Sequence, residues 1–136
     1  MALIRFGVSL EEELLKKFDR LLKAKSYANR SEALRDLIRN ELVKKEWHGA
    51  SLVAGAITII YDHHKRELVN KLLDMQHDFQ DVIISAQHVH LDHDNCLEIV
   101  AVKGTASEVR KLADSLKAIK GVKHTTLSMS STGRDI

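Results

Sequence analysis

Residues 3–9, Leu-Ile-Arg-Phe-Gly-Val-Ser, alternate in character, and nothing in the helical stretches that follow can pair with them. Ile4, Phe6 and Val8 share one side of an extended chain, and Arg5, Gly7 and Ser9 share the other. The segment therefore reads as a strand with an apolar and a polar face. Ser9 and Glu12 have capping-box spacing, and Glu11, Glu12 and Glu13 suit the positive end of a helix dipole. A helix is expected to run to about Lys25, with Leu14, Leu15, Phe18, Leu21 and Leu22 on one side. After the turn Ser26–Asn29 comes a second helix, capped by Asn29 or by Ser31. Its apolar stripe is Ala33, Leu34, Leu37, Ile38 and Leu42, with Trp47 at its end. A lone strand leaves a row of backbone donors and acceptors unpaired. The economical remedy is the same strand from a second copy, antiparallel about a two-fold axis. Arg5, Gly7 and Ser9 of both copies would then cover one face of a two-stranded ribbon. Such a ribbon fits the major groove of DNA.

At 136 residues the chain has room for one ordinary domain or two very small ones. Its content of 44% apolar and 29% charged residues is that of a soluble globular protein. No apolar run is long enough to span a bilayer, and the amino terminus lacks the pattern of a secretory signal. One cysteine, Cys96, excludes an internal disulfide and fits a reducing cytoplasm. Residues 1–50 carry 11 Lys and Arg against 8 Asp and Glu, which turns the first part toward nucleic acid. Eight histidines beside two tyrosines and one tryptophan turn the second part toward metal chemistry.

The pattern changes at residues 49–51, which divides the chain into domains over 1–48 and 52–136. Residues 52–61 are rich in Val, Ile and Thr and predict a strand, and 63–75 a helix with Leu68, Leu72 and Met75 inward. Residues 81–91 and 96–103 predict two strands joined by the polar turn Asp92–Asn95. A helix from Thr105 to Lys120, stopped by Gly121, and a strand over 122–129 complete the order βαββαβ. The fold class is thus α+β, ending in a ferredoxin-like sandwich.

Within the predicted hairpin lies Gln-His-Val-His-Leu-Asp-His-Asp-Asn-Cys, residues 87–96. Residues two apart in a strand share a face, so His88 and His90 project together. The turn returns the chain and sets Cys96 opposite the end of the first strand, so two imidazoles and a thiolate can share one metal. His93 lies in the turn, in solvent or beside the ligands. A fourth donor is needed, and His77 is the leading candidate, from the same chain or a neighbour. A planar set would suit nickel(II) or copper(II), a tetrahedral one zinc.

The segments RFGVSLEEELLKKFD, YANRSEALRDLIR, QHVHLDHDNCLEIVAVKG and GVKH resemble, in order and spacing, the nickel-responsive regulators of the NikR family. In that family a ribbon-helix-helix domain precedes an ACT-type regulatory domain that also forms the tetramer. The HVHxxxxxCLE element is the specific part. The resemblance implies nickel held in a plane by His88, His90 and Cys96, with His77 from another subunit, in a homotetramer built as a dimer of dimers. It assigns base contacts to Arg5, Gly7 and Ser9, a phosphate clamp to Asn29 and Arg30, and DNA-backbone contacts to Lys65 and Arg66. It offers Glu32 and Asp36 for a second, weaker cation. Family members usually carry a polar side chain where Gly7 stands. The implied function is nickel-dependent repression of nickel uptake genes at a double-stranded operator, in the cytoplasm and away from membranes. The alternative is an ACT-type regulator that senses a small molecule or another metal. An enzyme is not expected, since a plane filled by protein donors offers no open position for a substrate.

Overall fold

The computed structural model describes residues 2–136. They form two compact units, Met1–Asn40 and Glu41–Ile136. The first unit holds α1 (Glu12–Ala24) and the first part of α2 (Arg30–His48). Then follow β1 (Leu52–Asp62), α3 (Arg66–Asp78), β2 (Ile83–His90), β3 (Asn95–Thr105), α4 (Ala106–Lys117) and β4 (Val122–Met129).

In the first unit the segment before α1 is not paired into a strand, because a ladder needs a partner and the single chain provides none. Its apolar side is bare: Ile4 is 86% exposed, Phe6 74% and Val8 58%. Leu14, Leu21, Leu37 and Ile38 on the two helices are exposed as well, while Leu22 and Ala33 are buried. The expected capping box does not form. Glu11 is the N-cap and makes no side-chain cap bond, so Ser9 lies two residues too early. Glu12 and Glu13 still sit in the first turn, where their charge suits the dipole. Of the two caps possible for α2, Asn29 is used, its Oδ1 accepting from the Glu32 amide at 2.9 Å.

The second unit is a four-stranded antiparallel sheet in the order β2-β3-β1-β4, the arrangement expected for βαββαβ. Val53, Ile57, Ile59 and Tyr61 of β1 and Cys96, Val100 and Val102 of β3 alternate into one buried layer. Leu68 and Leu72 of α3 and Val109, Leu112 and Leu116 of α4 belong to the same core. α3 begins three residues later than the apolar spacing suggests. The Asp62 carboxylate accepts from the His64 amide at 2.9 Å, and this turn spends His63 and His64 before the helix can start.

The end of α2 also departs from expectation. Trp47 does not extend the apolar stripe of the first unit; it is 2% exposed within the second unit's core. Its indole Nε1 donates to the carbonyl of Ser130 at 2.7 Å. The units consequently divide inside α2 rather than after it. Gly55 makes this packing possible, since a Cβ there would lie 2.4 Å from the Ser128 carbonyl oxygen and 3.5 Å from the Trp47 ring. Gly55→Ala should therefore lower stability by about 1–3 kcal/mol, the cost of overpacking a dense core. Denaturant unfolding of the two proteins measures this directly. An unchanged midpoint would mean that β1 and β4 separate more freely than their ladder implies.

Candidate metal centre

β2 and β3 pair in a register that sets His88 against Glu98 and His90 against Cys96. Cys96, Glu98, Val100 and Val102 all point into the core, so the two histidines lie on the helix-covered side of an edge strand. The turn between the strands is shaped by Asp92. One of its carboxylate oxygens accepts from the amides of Asp94 and Asn95 at 2.9 and 2.8 Å, and both accept from the Asn95 side chain. The Asn95 side chain first, then these amides, hold the Asp92 carboxyl down at about 2. The turn thus rests on a carboxylate that stays ionised wherever a thiolate and neutral imidazoles can ligate.

Cys96 is buried and free, with its Sγ 3.9 Å from His88 Nδ1. The other ring nitrogen, Nε2, lies 3.3 Å from Glu98 Oε1, and Glu98 is itself only 1% exposed. A ring that donates its Nε2 proton to Glu98 turns the Nδ1 lone pair toward the sulfur. A carboxylate behind an imidazole in this way fixes the tautomer and raises the basicity of the ligating nitrogen. Gln76 Nε2 donates to Glu98 Oε1 at 2.7 Å, and the Tyr61 hydroxyl donates to Oε2 at 3.2 Å. Burial above all, then the charge of Glu98 and the hydrogen bond with Cys96, raises the Tyr61 hydroxyl far above its ordinary value and keeps it a neutral donor. That hydroxyl also lies 3.1 Å from His88 Nδ1. Glu98, Tyr61 and Gln76 were not singled out in the sequence. Only the alternation of β3 gave a sign of them, for it places Glu98 inward two residues after Cys96.

The donors suit a borderline transition metal: a soft thiolate and imidazole nitrogens. Bonds of about 2.3 Å to sulfur and about 2.0 Å to nitrogen place two donors of one metal about 3–4.4 Å apart. The 3.9 Å between His88 and Cys96 falls in that range. His90 stands opposite Cys96, its ring edge-on to His63 at 4.8 Å between centroids. His77 is exposed in the last turn of α3, and among the described residues no side-chain hydrogen bond joins it to the hairpin. The single chain therefore brings His88 to Cys96; among the described residues His90 is not gathered into one cluster with these two, and His77 is not brought to them.

Glu98→Gln keeps the shape of this network while removing its charge. Nickel affinity should fall about 10–100-fold, the usual consequence of removing the group behind a ligating imidazole. Competition with a chelator of known affinity gives the number. A loss smaller than twofold would show that Glu98 serves the core alone.

The remaining expected residues are dispersed. Arg30 spends its guanidinium on Asp19, with Nε and Nη2 each 2.9 Å from a carboxylate oxygen, and this ion pair holds Asp19 below its ordinary value. Glu32 pairs with Arg35 at 3.0 Å, and Asp36 accepts from the Tyr27 hydroxyl. Lys65 and Arg66, at the start of α3, line a cavity of about 360 Å³ together with Lys71 and Lys120. Arg5 and Ser9 are exposed, and a Cβ on Gly7 would meet nothing within 4 Å.

Comparison with known proteins agrees with both halves of the chain. Residues 54–130 match the NikR C-terminal nickel binding domain, and residues 4–45 match the ribbon-helix-helix proteins of the CopG family. A protein of Syntrophus aciditrophicus named as a nickel-responsive regulator is 64% identical over 132 residues, covering 97% of this chain and 96% of its own. One of Chlorobaculum parvum, named likewise, is 63% identical over 95% of this chain and 96% of its own. Another, of Pyrococcus furiosus, is 52% identical over 100% of this chain and 99% of its own. The solved structure of an uncharacterised Thermotoga maritima protein shares the fold alone. Its TM-score is 0.50 at 15% identity, over 57% of this chain and 98% of that one. With a family match over more than half its length and relatives this similar from end to end, the chain belongs to the NikR family of nickel-responsive regulators.

Proposed function

We propose that this protein is a nickel-dependent, sequence-specific DNA-binding repressor, acting in the cytoplasm on nickel uptake genes. The observation that carries the reading is the buried sulfur of Cys96 beside an imidazole backed by a buried carboxylate. His88, His90 and Cys96 would hold the metal, with His77 from another subunit as fourth donor. Nickel supplies a rigid link between these donors when bound. With every position taken by protein, the centre suits a regulator rather than a catalyst. Among the described residues no helix is long and apolar enough to cross a membrane.

The bare apolar side of Ile4, Phe6 and Val8 supports pairing of this segment with a second copy, which would cover it and complete a ribbon. Residues 1–48 would form the DNA-binding domain, and residues 52–136 the regulatory domain that builds the tetramer. Arg5, Gly7 and Ser9 would face the bases, while Asn29, Arg30, Lys65 and Arg66 would meet phosphates. Arg30 must exchange Asp19 for phosphate to do so. A second cation at Glu32 and Asp36 would likewise have to displace Arg35 and Tyr27.

The test is an operator titration, using a duplex selected from a random pool in the presence of nickel. Binding should be tight with nickel and weak, salt-sensitive and unspecific without it. Equal affinity with and without metal would overturn the proposal. Arg5→Ala should weaken the nickel-loaded complex by about 1–3 kcal/mol and relax the preference at one base pair, leaving nickel uptake intact. Tight and unaltered selectivity in that variant would remove the ribbon from the interface.

A further inference from the structure

We infer that Trp47 and Ser131 are positioning residues for the DNA response, because residues 130–136 form a strap that fixes the end of α2. α2 is one unbroken helix of 19 residues, Arg30–His48. Its start, with Asn29, carries the proposed phosphate contacts, and from Glu41 onward it belongs to the second compact unit. Whatever holds its end therefore acts on Asn29 and Arg30 through the helix itself.

The hold is built from consecutive residues on both sides. Val43 and Trp47, one helical turn apart, pack on the core of the second unit. Ser130 is fixed twice: its amide donates to the Ala54 carbonyl at 3.0 Å, and its own carbonyl accepts from the Trp47 indole at 2.7 Å. The next residue repeats the contact one step back along the helix. Ser131 Oγ donates to Glu46 Oε1 at 3.3 Å and accepts from the Gly133 amide at 3.0 Å. Gly133, with φ +80°, turns the chain through a conformation that favours glycine. Asp135 then returns to the same end of α2, where it lines a cavity of about 450 Å³ with Leu42, Lys45, Glu46 and His48.

Burial of apolar surface does not explain this course, since Ile136 is the only large apolar side chain in residues 130–136. The polar contacts do. They are also few, and Glu46 Oε2 is buried with no hydrogen-bond partner among the described residues. A buried oxygen without a donor is better served by water, which favours opening. The outer strap should therefore open more readily than the sheet beneath it. Closed, it ties the end of α2 to the unit that carries the nickel hairpin; open, it frees that end. The part of this inference that concerns DNA rests on the repressor reading, whereas the strap itself does not.

Trp47 is the single tryptophan of the chain, so its fluorescence reports the strap directly. The experiment compares the parent with a chain ended at Ser130, and with Trp47→Phe, which fills most of the site without the indole donor. In the shortened chain acrylamide should quench Trp47 at least threefold more readily. Amides of residues 41–48 should exchange at least tenfold faster, while those of β1 and β3 keep their protection. Nickel affinity, measured by competition with a chelator, should stay within twofold of the parent in both variants, because the hairpin is untouched. The gain in operator affinity that nickel confers should fall at least tenfold in both. Quenching and exchange at parental levels would overturn the strap. A freed end of α2 with the nickel gain intact would overturn its part in the DNA response. A parent that gains nothing from nickel would remove the repressor reading and that part with it, and quenching and exchange would still decide the strap.

Discussion

Replacing Cys96 with serine will abolish the thiolate-to-nickel band and leave operator binding indifferent to nickel. The hydroxyl is nearly the size of the thiol, so the buried position stays filled, but it is a far poorer ligand for a borderline metal. Changing a group behind a ligand costs about 10–100-fold in affinity, and losing the thiolate itself should exceed that. Because metal binding releases the thiol proton, affinity of the parent protein should also fall as pH drops, and that dependence should be shallower in the variant. The ribbon face lies in the other compact unit, so metal-independent attraction to DNA should persist with its steep salt dependence. Equilibrium dialysis and an operator titration measure the two effects. A variant that kept nickel at parental affinity, or kept its nickel-stimulated operator binding, would show that Cys96 is only a small buried residue of the core.

The order of elements in the second unit was legible because both of its periodicities are clean. β1 and β3 alternate between core and edge positions, and Leu68 and Leu72 recur one helical turn apart. The same alternation puts His88, His90 and Cys96 on one side of a hairpin, as the register of β2 and β3 does. What escaped depends on contacts that no local pattern encodes. Trp47 looks like the end of an amphipathic stripe, yet it belongs with Ser130, 83 residues away, and this moves the division between units into α2. Glu98 reads as a charge in an apolar strand until Tyr61, Gln76 and His88 are seen to converge on it. The late start of α3 follows from a single carboxylate, Asp62, closing a turn on His64. Residues 3–9 show the opposite case: their alternation is plain, but in the single chain they are not paired into a strand.

Two variants that each fail to respond to nickel, His77→Ala and Cys96→Ala, should recover a response when mixed within one tetramer. The reason lies in where the chain puts its donors. β2 and β3 bring His88, His90 and Cys96 onto one hairpin, whereas His77 is exposed at the end of α3 and, among the described residues, joined to that hairpin by no hydrogen bond of its side chain. A donor displayed outward is suited to complete a neighbour's site, and a metal held in this way links two chains. Its binding free energy then appears partly as order at the interface between subunits. Alone, His77→Ala keeps a three-donor hairpin that captures nickel weakly and cannot join the chains, so its DNA binding should resemble that of the metal-free protein. Alone, Cys96→Ala keeps the outward histidine but lacks the thiolate. In a mixed tetramer some interfaces pair the intact hairpin of the first variant with the surviving His77 of the second. Those interfaces regain four donors and should restore part of the thiolate band and of the tight operator complex. If each site were built within one chain, every chain would still lack one of its own ligands and mixing would restore nothing. Tetramers shown by mass spectrometry to contain both variants, yet without the recovered band, would rule out the shared site and return His77 to its own chain.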